Sequence, residues 1–198
     1  MREEFLFRLN LAYRLGTDKL IDWMDANGFF EAPCSTQHHL SKPGGLLEHS
    51  INVYRTMYDL AITLGYSVPV ESIIITALLH DLGKCGQFGK AGYNANMIKD
   101  GRPTKDNPEQ QFKQSETKPY LTNPELLHIP HEVRSIQIAS QFIELTEEEN
   151  WAILMHNGLY GEFKYSIPGK ETPLYLLLHM ADMWCSRVIE KEDDVSAD

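Results

Sequence analysis

Leu78-Leu79-His80-Asp81-Leu82-Gly83-Lys84 decides how this chain is read, because it sets a histidine and an aspartate side by side in a strongly apolar run. Reading upstream, Ile73, Ala77 and His80 are spaced four and three apart, as are Ile74, Leu78 and Asp81. On a helix each set forms one stripe, so the helix expected over 70–82 carries both polar side chains inward with its apolar faces. An ionised carboxylate taken out of water needs compensating charge or hydrogen bonds, and a divalent cation is the simplest compensation. The competing reading is a buried polar network with no ion.

Two other polar residues fall on apolar stripes. His49 shares a helix face with Val53, Thr56 and Leu60, and Asp182 shares one with Tyr175, Leu178, Cys185 and Ile189. Imidazole and carboxylate from several helices make a mixed nitrogen and oxygen donor set that suits manganese, iron, nickel or zinc better than magnesium.

The rest of the chain reads as further helices. Apolar residues recur at helical intervals over 3–15 and 17–26, with Asn27-Gly28 as a stop. A loop rich in Pro, Ser, His and Gly over 29–45 precedes a long helix over 46–65. Pro130 opens a helix to about Ile143, Thr146-Glu147-Glu148-Glu149 is a capping box for another closed by Asn157-Gly158, and Thr172-Pro173 starts one that runs to about Glu190. Between them, 85–123 has no sustained period. It is expected to be a lid or insertion with one or two short strands near 93–98 and 114–120. The fold class is therefore all-α, a single domain over 1–190 with one irregular or β-hairpin excursion, followed by an acidic tail over 191–198. Trp23, Trp151 and Trp184 are expected in or near the core.

Composition narrows the function. With 198 residues and 42% hydrophobic content, the chain can bury one core. It has no apolar run of about 18 residues and no charged-then-apolar leader after Met1, so a soluble, cytoplasmic protein is expected. The three cysteines, Cys34, Cys85 and Cys185, are widely spaced, which argues for reduced, buried thiols instead of disulfides. A net charge of −10 argues against a long nucleic-acid duplex as partner, but bound cations can reverse the local sign and admit a small phosphorylated ligand.

At these residues the chain resembles the HD-domain metal-dependent phosphohydrolase superfamily. Gly44-Gly45-Leu46-Leu47-Glu48-His49-Ser50 is similar to its first histidine motif, His80-Asp81 with Gly83 and Lys84 to its name-giving motif, and His179-Met180-Ala181-Asp182 to its final aspartate motif. His131-Glu132-Val133-Arg134-Ser135 resembles a His-Gly-Glu-Lys-Ser element found in some members, with Glu132 in place of the glycine and Val133 in place of the glutamate. His156-Asn157-Gly158 stands where a further histidine element falls.

The resemblance implies one or two divalent ions. His49, His80, Asp81 and Asp182 would hold one and Asp81, His131 and His156 the other, with Asp81 and Lys84 as the catalytic pair. It also implies that His39 and Lys84 contact substrate. Helix-end roles compete for His131, His156 and Lys84, and His128 is an alternative to His131. The implied activity is hydrolysis of a phosphate ester of a nucleotide or short oligonucleotide. The Gly-Tyr-Pro signature of the cyclic-dinucleotide branch is absent from the sequence. Two alternatives are a catalytically silent, metal-stabilised nucleotide-binding or accessory module, and a single-ion enzyme whose His131 and His156 touch substrate.

Overall fold

The computed structural model describes residues 1–104 and 108–191. Among them are seven α-helices: α1 (Arg2–Asn10), α2 (Thr17–Ala26), α3 (Gly45–Thr63), α4 (Val70–Leu79), α5 (His131–Ala139), α6 (Glu147–Met155) and α7 (Pro173–Trp184). One hydrophobic cluster draws on all of them, through residues such as Phe5, Leu20, Leu46, Ile74, Ile138, Ala152 and Leu178. The centre of the bundle is α4, which is buried from Ser72 to Leu79 on every side and packs against α1, α3, α6 and α7. A helix this apolar all round gains its stability from burial. No described helix is long and apolar enough to cross a membrane.

The start signals read from the sequence hold. At α6, Thr146 accepts from the amide of Glu149 while the Glu149 side chain accepts from the amide of Thr146, and Thr172 caps α7 ahead of Pro173. Several ends differ from expectation. Helix α1 stops at Asn10 instead of Leu15, and α5 stops at Ala139 instead of Ile143. Helix α4 ends at Leu79, so His80 and Asp81 lie at its C-terminal boundary and a 3-10 turn, Leu82–Cys85, follows. Close packing forces that ending: α5 presses on the turn so tightly that a Cβ on Gly83 would lie 2.3 Å from the His131 carbonyl oxygen. Similarly, a Cβ on Gly45 would lie 2.0 Å from the Leu40 carbonyl oxygen, so only glycine admits the loop of 29–45 against the start of α3.

The excursion holds more strand than expected. Among the described residues three antiparallel pairs form: β1 (Gly86–Gln87) with β2 (Lys90–Ala91), β3 (Tyr93–Ala95) with β6 (Tyr120–Thr122), and β4 (Met97–Asp100) with β5 (Gln111–Gln114). Residues 105–107 of it lie outside the described residues, as does all of the acidic tail except Lys191.

Trp23 and Trp151 pack against the core, but Trp184 is 54% exposed, on the outer face of α7. Cys34, Cys85 and Cys185 are free and buried.

Candidate metal centre

The helix ends converge on one carboxylate. Asp81, 1% exposed, lies between side chains from α3, α5, the end of α6 and α7. Its two oxygens face different partners. Oδ2 is 3.5 Å from His49 Nε2 and 3.4 Å from His80 Nε2, and His49 Nε2 is in turn 3.2 Å from Asp182 Oδ1. Oδ1 is 3.1 Å from His131 Nε2 and 3.5 Å from His156 Nε2. His49 and His80 bring their Nε2 atoms within 3.3 Å of each other, and so do His131 and His156.

The outer ring nitrogens explain why the inner ones can lie so close together. His80 Nδ1 donates to the Ala77 carbonyl at 2.9 Å and His156 Nδ1 to the Ile153 carbonyl at 2.7 Å. His49 Nδ1 faces Glu190 Oε2 at 2.8 Å, and His131 Nδ1 faces Glu132 Oε2 at 3.3 Å. An oxygen acceptor at Nδ1 keeps the proton there and leaves Nε2 with a bare lone pair. Four such lone pairs are thereby aimed at a carboxylate and at one another, and Asp81 Oδ1 has no hydrogen-bond partner despite being buried.

The spacing of these donors fits a cation. Bonds of about 2.0–2.2 Å set neighbouring donors about 3.0 Å apart in an octahedral shell and about 3.4 Å apart in a tetrahedral one. The separations across both halves of the centre, 3.1–3.5 Å, fall in that range. Among the described residues four groups able to hold an ion share members here: His49 with His80 and Asp81, His80 with His156 and Asp182, Asp81 with His131 and His156, and, adjoining through His49, Cys34 with His39 and His49.

The remaining candidates border the same space. Lys84 Nζ is 2.5 Å from Asp81 Oδ2; burial disfavours its charge, but the adjacent carboxylate outweighs this and keeps the ammonium protonated. The His39 ring lies 5.2 Å from that of His49 and its Nε2 lies 3.3 Å from Cys34 Sγ. Burial lowers His39 to about 4 and pushes the Cys34 thiol up to about 11, so both are uncharged at neutral pH. His128 is not among the converging donors: its exposed side chain pairs with Glu162 at 3.2 Å, on the wall of the larger cavity. His179 donates from Nδ1 to the His156 carbonyl at 2.7 Å and stacks on Tyr175, supporting the turn that presents His156.

Two cavities meet at Lys84, Asn157 and Tyr160. A smaller one of about 120 Å³ touches His39, His156, Asp182 and Arg187. A larger one of about 440 Å³ runs from His131 between Tyr93 and Asn123 of the excursion and Leu126 and Leu127 beyond it.

Sequence reasoning placed Glu190 at the end of the last helix and missed its role in the site. Its carboxylate is buried against His49. Burial alone would raise its pKa, but the hydrogen bond from His49 outweighs this and holds it below the usual glutamate range. The α-helical stripe through Asp182 pointed to Ile189 as the buried position; Ile189 is 52% exposed instead.

With fold and centre in place, the family comparison identifies the class: the HD domain model matches residues 46–182, and the chain belongs to the HD-domain family, a superfamily of metal-dependent phosphohydrolases. No curated protein and no solved structure gave a match.

Proposed function

We propose that this protein hydrolyses a phosphate ester of a nucleotide or short oligonucleotide, using His49, His80, Asp81, His131, His156 and Asp182 to hold two divalent ions. The observation that carries the reading is the division of Asp81: each carboxylate oxygen fronts its own imidazole pair, so one residue serves two ions. The nitrogen-rich donors favour manganese, iron, nickel or zinc over magnesium. Such ions, when bound, lower the pKa of water and neutralise phosphoryl oxygens.

The protein's own groups supply the remainder. Lys84, at the junction of the two cavities, places a fixed positive charge beside the reacting phosphate and stabilises charge that develops on it. His39, neutral at the rim of the smaller cavity, offers a hydrogen bond to a phosphate oxygen. The larger cavity takes the organic part of the ester, with Tyr93 and Tyr160 as aromatic walls. Residues 1–190 act as one unit in this reading, with 85–123 as a wall of the pocket. The acidic balance of the chain disfavours a long duplex and leaves a small cytoplasmic phosphate ester as substrate.

A manganese-supplemented screen of phosphate release over a nucleotide panel tests the proposal. Turnover with at least one member is expected. A silent binding module would instead show nucleotide-dependent melting with no phosphate released.

A further inference from the structure

Helix α7 does not continue as an α-helix beyond Asp182 and Trp184. Its extension, Cys185–Ile189, is a π-turn, closed by the amide of Glu190 donating to the carbonyl of Cys185, five residues back, at 2.9 Å. An α-helix advances about 100° per residue, so eight residues of regular winding would leave Glu190 roughly 80° around the axis from Asp182. A π-turn accommodates an additional residue and rotates position 190 back toward the centre. This is why Glu190 is 6% exposed while Ile189 has left the face.

The rotated carboxylate is fully used. Oε2 accepts from His49 Nδ1 at 2.8 Å, and Oε1 accepts from Asn52 Nδ2 at 2.9 Å. Asn52 lies one turn along α3 from His49, so one helix supplies both the imidazole and the amide that holds its partner. The next residue, Lys191, pairs antiparallel with His39, which fastens the chain just past the carboxylate.

We propose that Glu190, held by Asn52 and placed by the π-turn, is the positioning residue that orients His49 as a metal ligand. The inference rests on His49 being a ligand, as in the function proposed above. A carboxylate behind an imidazole fixes the ring, keeps the proton on Nδ1 and strengthens Nε2 as a donor, and losing such a partner typically weakens metal binding about 10- to 100-fold.

The test is manganese and zinc affinity, measured by equilibrium dialysis on metal-stripped protein, for wild type, Glu190→Gln, Glu190→Ala and Asn52→Ala. Circular dichroism reports whether each variant is folded. Glu190→Ala is expected to bind about 10- to 100-fold more weakly, with Glu190→Gln in between, because its amide oxygen still accepts from Nδ1 but carries no charge. Asn52→Ala is expected to fall on the same side of wild type. A merely structural glutamate would give no such grading among folded variants.

Wild-type affinity in a folded Glu190→Ala protein overturns the inference. If that variant does not fold, wild-type affinity in both Glu190→Gln and Asn52→Ala overturns it equally. Wild type that takes up neither metal overturns the metal centre itself, which separates that failure from failure of the positioning role.

Discussion

The two halves of the centre use similar donors and differ in how they are held. On the Oδ2 side of Asp81, His49 and His80 are fully buried and their outer nitrogens lie 2.8 and 2.9 Å from a carboxylate and a carbonyl. On the Oδ1 side, His156 is equally anchored, but the His131 side chain is 30% exposed and its contact with Glu132 is 3.3 Å. The first half is carried by α3, the C-terminal boundary of α4 and α7, and meets the smaller cavity through Asp182, whose side chain is 18% exposed. The second borders the larger cavity through His131. Rigid, dry donors bind tightly, whereas donors beside an open cavity exchange more easily and lie nearer to substrate. On this account the inner ion is retained and the outer one is the exchangeable ion.

Asp81→Ala removes what the halves share. It is expected to abolish uptake of both ions and to reduce kcat/KM by at least about 1,000-fold, since the loss corresponds to several kcal/mol of transition-state stabilisation. Elemental analysis together with phosphate release checks both effects. Chelation exposes the same dependence in the fold: a ligand present at about 100 times its Kd contributes about 2.7 kcal/mol, so stripping the metal should lower Tm by roughly 5–10 °C in a protein of this size. Calorimetry with and without chelator measures it.

Single-histidine variants separate the halves. His131→Ala is expected to lose about one ion per chain and most activity while keeping the inner ion, whereas His49→Ala is expected to lose the inner one. Loss of both ions in each variant would erase the distinction. Glu132→Ala should weaken only the outer ion, by about 10-fold, the low end for loss of a partner behind a ligand; dialysis against graded manganese detects this. Thr146→Ala, at the capping box of α6, has the smallest effect. It should cost about 1 kcal/mol of stability without altering ion number, as read by urea denaturation and elemental analysis.

The contrast also separates what the sequence discloses from what it hides. The helices that carry the inner half were legible because His49, His80, Asp81 and Asp182 each sit on an apolar stripe of regular period. The capping box at Thr146 and the Thr172-Pro173 start were legible for the same local reason. The end of α4 at Leu79 was not, because it is imposed by α5 packing on Gly83, a contact 52 residues distant between the Gly83 amide and Ser135 Oγ. Glu190 was invisible to a 3.6-residue period because the π-turn breaks that period just before it. The strand pairs of the excursion were under-read since β4 and β5 are exposed on both faces and so carry no alternating pattern.

The most direct test of the central claim is the ion count of protein purified with manganese present and then desalted, measured by elemental analysis on samples that release phosphate from a nucleotide. The account predicts about two ions per wild-type chain and none in Asp81→Ala. Turnover by wild-type protein that holds no metal would contradict it.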